Sequence, residues 1–282
     1  ILSYNLFVSI VYNLGYKSKI KNTNDKVVLV KLSNASSIQK NIKVISHRAQ
    51  CFGEQENSIQ AIKSSIINKM DYAEIDVQET KDGVVVLMHD RNLQRLTGLN
   101  KNVDEVSFND IEKLNIAPPK FSNNKETIPT LDGVIKECTG KLKLIIEIKP
   151  YGNTEDLTRK VVEIVDDNNF VNQCKIHSFN YVILLNVKRL NPNIQTGYIV
   201  NGPLNNLDSL NVNFYSVQQS AVSKKMVNDI HRKNKEIYVW TVDNSIGMNN
   251  MINLNVDGII TDKPQLLKDI KKKSCGSKNI IS

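Results

Sequence analysis

The chain has 282 residues, 40% of them apolar and 23% charged, and a formal net charge of +8. That apolar share supports a substantial core and excludes an intrinsically disordered chain, while the length suits one large barrel or two ordinary domains. The excess Lys is scattered, with one cluster at Lys271, Lys272 and Lys273, and no nucleic-acid-binding motif accompanies it; the charge suits a phosphate-bearing substrate or an anionic membrane surface, but solubility and a compositional bias toward Lys and Asn account for most of it.

In chain order, residues 1–16 are rich in Leu, Ile, Val, Phe and Tyr and lead into Lys17, Lys19 and Lys21. The run is too short, and too interrupted by Asn5, Ser9 and Asn13, to span a bilayer by itself. Basic flanks suit the end of a transmembrane helix, and an amphipathic surface helix is the other reading. From residue 42 onward, short apolar runs alternate with helical patterns. Strands are expected at 44–47, 73–77, 144–149, 175–179, 195–200, 214–218, 237–242 and 258–261. Helices are expected at 59–69, 155–167, 181–190, 223–234, 247–255 and 264–272. This alternation predicts an α/β fold of the (β/α)8 TIM-barrel type, and the missing Gly-rich dinucleotide fingerprint weighs against a doubly wound sheet. Between the second and third strands, at about 80–130, lies a polar excursion with Pro118, Pro119 and Pro129, and long insertions of this kind are usually functional. The expected organisation is an N-terminal segment 1–41, a barrel 42–273 and a tail 274–282. Cys51, Cys138, Cys174 and Cys275 lack metal-ligand or disulfide-framework spacing and are expected as free thiols, Cys51 within reach of the pocket rim.

Chemistry concentrates at three strand ends. Glu74 and Asp76 alternate along one strand, so both face the same way. A turn through Gly83 and an apolar run to Met88 bring His89 back beside them. Upstream, residues 44–46 end in His47 and Arg48; downstream, residues 144–146 run into Glu147 and Lys149. Two hard oxygen ligands near an imidazole suit a divalent cation and proton transfer on a phosphate ester, whereas the hairpin alone is equally compatible with acids facing water. Charges that finish three otherwise apolar strands at one end favour the first reading, because burying them unpaired is costly.

The ordered set His47–Arg48, Glu56–Asn57–Ser58, Glu74–Ile75–Asp76–Val77, Asp82–Gly83, His89–Asp90, Arg95 to Gly98, Glu147–Ile148–Lys149, Trp240–Thr241–Val242 and Asp257 to Pro264 resembles the glycerophosphodiester phosphodiesterase family. The resemblance covers nearly the whole chain from residue 42 to 270. Two departures stand out: Ala49 follows His–Arg where the family usually has Gly, and Gln55–Glu56–Asn57–Ser58 replaces Pro–Glu–Asn–Thr. Ala49 is small enough to be accommodated, the alternative being that its Cβ narrows the pocket near the scissile phosphate.

The resemblance implies a barrel hydrolase that splits glycerophosphodiesters into glycerol 3-phosphate and an alcohol. It also implies an insertion that caps the active site, and it favours the membrane stub, hence membrane association, for residues 1–16. Glu74, Asp76 and Glu147 are the expected ligands of a divalent Mg2+ or Ca2+, with Glu147 alternatively paired to Lys149 or Arg48. His47 and His89 are the expected acid–base pair, and Arg48 and Lys149 the phosphate holders. Glu56 would orient Arg48 or a histidine, or reach the metal, and Ser58 would start a helix. Trp240, the only tryptophan, would wall the site of the glycerol or alcohol moiety or fill the core. His177 is expected as a hydrogen-bonded core histidine rather than at the barrel mouth, and His231 as a plain exposed residue. The resemblance suggests attack by the substrate's own glycerol hydroxyl, with direct attack by water left open. Rival readings are a lysophospholipase D-type enzyme and a catalytically silent phosphate-binding module, the latter disfavoured by five retained residues: His47, Glu74, Asp76, His89 and Glu147.

Overall fold

The structure is a computed structural model and describes residues 16–18, 29–31, 42–116, 126–202 and 210–276. It divides into two compact units, Ile1–Asn41 and Ile42–Ser282. In the first, β1 (Tyr16–Ser18) pairs antiparallel with β2 (Leu29–Lys31). The apolar run 1–15 lies outside the described residues, and no described helix is long and apolar enough to cross a membrane.

The second unit is the expected barrel. Its parallel strands are β3 (Lys43–Ser46), β4 (Tyr72–Glu79), β6 (Lys143–Ile148), β7 (Cys174–Ser178), β8 (Gln195–Val200), β9 (Phe214–Gln218), β10 (Glu236–Trp240) and β11 (Gly258–Thr261), closed by the β3–β4 and β11–β3 pairings. Outside pack α1 (Ile59–Ile67), α4 (Leu131–Cys138), α5 (Thr154–Asp167), α6 (Tyr181–Leu190), α7 (Lys224–Arg232), α8 (Ser245–Leu254) and α9 (Pro264–Gly276). Ser58 caps α1 by accepting from the Ala61 N–H at 3.1 Å, and Ser223 caps α7 by accepting from Met226. Helix α4 escaped the periodicity because its eight residues follow directly on the insertion, where Thr130 supplies the cap.

The insertion is less irregular than its polarity implies. It opens with β5 (Val85–Leu87), antiparallel to β4, and continues through the short helices α2 (Gln94–Thr97) and α3 (Phe108–Ile111). Val86, Met88, Leu93, Val103, Ile111 and Ile128 bury together as its own small core. Elements of three and four residues are too short to register as a period.

Period-2 geometry stacks the barrel interior in layers. At the base, the Lys175 ammonium pairs with Glu236 and stands 5.1 Å from the Tyr238 ring centre. The middle layer packs Ile45, Tyr72, Ile145, Phe214, Tyr238 and Ile260. Gly197 belongs here because a Cβ would lie 2.2 Å from the Phe214 ring. Above the apolar layer, at the C-terminal mouth, come the charged side chains.

Candidate active site

Strand register assembles the site. Asp76 is opposite Glu147, and Glu147 is opposite His177, so β4, β6 and β7 contribute one inward rung. Glu74 lies two residues earlier on β4 and faces the same way. His47 and Arg48 sit in a tight turn directly after β3, and His89 follows β5, whose return is pinned by Met88 N–H donating to the Asp76 carbonyl at 3.0 Å. The Gln78 amide also donates to the carbonyls of Met88 and Asp90, fixing the His89 backbone. Together these residues line a cavity of about 160 Å³ with Lys149, His177, Phe179 and Trp240.

Every expected site residue except Glu56 lines this cavity, and Glu56 stands directly behind it. The Glu56 carboxylate accepts from Arg48 Nη1 at 3.0 Å and from Arg95 at 2.6 and 2.9 Å, so its partners are the two guanidinia rather than a histidine. Burial opposes its charge, yet the Arg95 hydrogen bonds and the Arg48 charge hold its pKa down. Arg48 Nε has no hydrogen-bond partner and is buried beside Asp76 at 3.8 Å. Trp240 serves both expected roles: it packs on the middle layer, donates its indole N–H to the Ser216 carbonyl at 2.9 Å, and meets Phe179 edge-on at 6.0 Å on the cavity wall.

The two site imidazoles are built alike. His47 Nδ1 is 2.7 Å from Asp262 Oδ1, and His89 Nδ1 is 2.8 Å from Asp90 Oδ1. A carboxylate on Nδ1 fixes the ring and leaves Nε2 for chemistry. Burial works against a charged His47, but the Asp262 hydrogen bond and the Glu74 charge outweigh it and raise its pKa. Asp262 follows β11, which pairs with β3 so that Thr261 is opposite Ser46, one residue before each partner.

The carboxylates are buried and short of positive charge. Lys149 Nζ bridges Asp76 Oδ1 at 2.7 Å and Glu147 Oε1 at 2.8 Å. Asp76 Oδ2 also accepts from the Asn57 amide at 2.8 Å, while its own N–H donates back to Asn57 Oδ1. Burial opposes the Asp76 charge, but Lys149 and Arg48 hold its pKa far below the usual carboxylate range. Glu147 loses that competition: burial, with repulsion from Asp76 and Glu74, pushes it up to about 7 despite Lys149. Glu74 accepts from the Arg48 backbone N–H at 3.1 Å and faces His177 Nε2 at 3.5 Å. Among the described residues, Glu74, Glu147 and His177 bring donor atoms within 4.8 Å of one another. His177 is thus at the mouth and not a satisfied core histidine.

Three further readings are settled by this geometry. Ala49 is fully buried against the core and does not line the cavity. Its φ of 62° is the left-handed region, which accounts for a glycine preference without any contact to substrate. Cys51 is buried with Sγ 3.3 Å from Ser65 Oγ, away from the rim. His231 is partly buried and holds Asp257 at 2.9 Å.

A parallel barrel whose mouth presents two carboxylate-anchored imidazoles, buried acids, an arginine and a lysine defines a hydrolase of phosphoric diesters. The chain belongs to the glycerophosphoryl diester phosphodiesterase family, whose model matches residues 41–266. A glycerophosphodiester phosphodiesterase from Caldanaerobacter subterraneus subsp. tengcongensis is 32% identical over 82% of this chain and 98% of its own. A lysophospholipase D from Mus musculus is 32% identical over 44% of this chain and 38% of its own. Among solved structures, a glycerophosphodiester phosphodiesterase from Parabacteroides distasonis superposes with a TM-score of 0.74 at 26% identity, covering 83% of this chain and 98% of that one.

Proposed function

We propose that this chain hydrolyses glycerophosphodiesters to glycerol 3-phosphate and an alcohol, and that the reaction requires a divalent cation. The observation that carries this reading is the convergence of His47, His89, Arg48 and Lys149 on one cavity with three buried carboxylates. The donor set fits a cation: among the described residues a single ammonium, that of Lys149, bridges Asp76 and Glu147, Glu147 remains hard to ionise, and the buried His177 Nε2 has no hydrogen-bond partner. A divalent ion held by Glu74, Asp76 and Glu147 would neutralise charge on the phosphate oxygens.

The chain's own residues supply the proton transfers. Arg48, whose guanidinium Glu56 fixes, would hold a phosphate oxygen. His89, anchored by Asp90, takes the proton of the attacking hydroxyl, whether from the substrate's glycerol or from water. His47, whose surroundings favour imidazolium, protonates the departing alkoxide. The Phe179–Trp240 wall accepts an apolar face of the alcohol. That wall also supports a second reading in which the alcohol is a lysophospholipid's, in keeping with the lysophospholipase D relative.

Chelation tests the proposal. Protein stripped with EDTA should lose turnover of glycerophosphocholine and of a lysophospholipid alike, and regain it when Mg2+, Ca2+ or Mn2+ is added. The same cations should raise the melting temperature by linkage. Full turnover by stripped protein in excess EDTA would overturn the metal requirement, and the ratio of the two substrates decides between the readings.

A further inference from the structure

We propose that His177 is a nitrogen ligand of the divalent cation, and that it tilts the site from Mg2+ and Ca2+ toward Mn2+, Co2+ and Zn2+. This rests on the metal-dependent reading above and adds to it a residue and a selectivity.

The placement comes first. His177 shares a rung with Glu147 across β6 and β7, and its Nε2 is 3.5 Å from Glu74 Oε1. The donor atoms of Glu74, Glu147 and His177 lie within 4.8 Å of one another, a spacing that one ion can bridge. The ring is 3% exposed, so water does not satisfy it. Its Nδ1 is 3.0 Å from Ser216 Oγ, while Nε2 has no hydrogen-bond partner. Nε2 thus faces the Glu74 carboxylate without hydrogen-bond geometry, and an ion between the two would satisfy both buried groups. Ser216 accepting from Nδ1–H would leave the Nε2 lone pair facing the acids, the arrangement in which a second hydrogen bond fixes a metal-binding imidazole.

The neighbours make a nitrogen donor useful. Both Asp76 oxygens have partners, Oδ1 in Lys149 and Oδ2 in Asn57, whereas Glu147 Oε1, although 2.8 Å from Lys149 Nζ, has no hydrogen-bond partner. The donor atoms that face one another for an ion are therefore those of Glu74, Glu147 and His177. Mg2+ and Ca2+ are hard ions that favour oxygen, whereas imidazole nitrogen suits the later divalent metals. An all-carboxylate site also ranks these metals in the same order, so the diagnostic quantity is the part of the preference that depends on His177.

The test uses the full chain stripped of metal, with Co2+, Mn2+, Mg2+ and Ca2+ as probes in equilibrium dialysis. His177→Gln should lose about 10- to 100-fold in Co2+ and Mn2+ affinity while Mg2+ and Ca2+ change by less than about 3-fold. X-ray absorption at the cobalt edge of the unaltered chain should show imidazole scattering, a readout independent of how the variant folds. An oxygen-only cobalt environment overturns the inference, as does an equal loss for Co2+ and Mg2+ on substitution. Binding of every cation with no dependence on His177 leaves the metal requirement standing and removes His177 alone. Turnover without binding of any cation overturns both readings.

Discussion

Asp262→Asn isolates the electrostatic share of His47 function. Asp262 Oδ1 is 2.7 Å from His47 Nδ1, and an amide oxygen in its place can still accept from Nδ1–H, so ring orientation survives while the charge is lost. Two unit charges about 4 Å apart interact by roughly 4 kcal/mol at an effective dielectric of about 20, an upper bound. Asp262 is 45% exposed and His47 19%, so solvent screening reduces this to about 1–2 kcal/mol, or about one pH unit. The sign follows from the proposed role: a His47 that acts as the acid must be protonated, so activity should fall as pH rises through its pKa. Removing the carboxylate lowers that pKa and should move the alkaline limb of kcat/KM down by about one unit, with roughly a 10-fold loss on the alkaline side. Stability changes in a matching window. A raised histidine pKa stabilises the fold below its unfolded value, and that contribution disappears as pH rises through the folded value. The Asn variant should therefore lose more melting temperature at pH 5 than at pH 9. The assay is a pH profile on glycerophosphocholine beside thermal scans at both pH values. An unmoved alkaline limb would refute His47 as the acid held by Asp262.

His47→Ala and His89→Ala should each lower kcat by roughly 10²-fold or more in steady-state assays while keeping the metal-induced rise in melting temperature. His231→Ala is the control: its bond to Asp257 lies outside the cavity, so turnover should hold while thermal scans show a loss of about 1 kcal/mol. Glu56→Ala releases Arg48 and Arg95 together, and should raise KM about 10-fold and cost about 2–3 kcal/mol in denaturant unfolding, less than a fully buried pair because Arg95 is 45% exposed. Ala49→Gly relieves about 1–2 kcal/mol of left-handed strain but gives up a buried methyl worth about 0.8 kcal/mol and adds unfolded-state entropy, so melting should shift little. Its kcat/KM should stay within about 3-fold, and a larger change would restore the view that this Cβ reaches the pocket.

The barrel was legible because its strands are nearly continuous apolar runs, and a run of that kind survives whatever the neighbours do. The charged ends of β3, β4 and β6 were legible for the opposite reason: Glu74, Asp76 and Glu147 interrupt apolar sequence where an unpaired charge is expensive. What escaped depends on register, which a single strand does not carry. His177 reads as one more polar residue in Cys174–Ser178 until β7 is laid against β6 and its partner is found to be Glu147. Asp262 and Asn57 sat inside segments already singled out, yet their partners His47 and Asp76 are 215 and 19 residues away, and only barrel closure or the α1 approach brings each pair together. Position 49 shows the converse failure. An alanine where glycine is usual was read through its side chain and the substrate, whereas its φ of 62° places the constraint in the backbone and its methyl in the core. The side chains a sequence offers as catalytic are thus the ones whose cost is local, and those that orient them appear only when strands become neighbours.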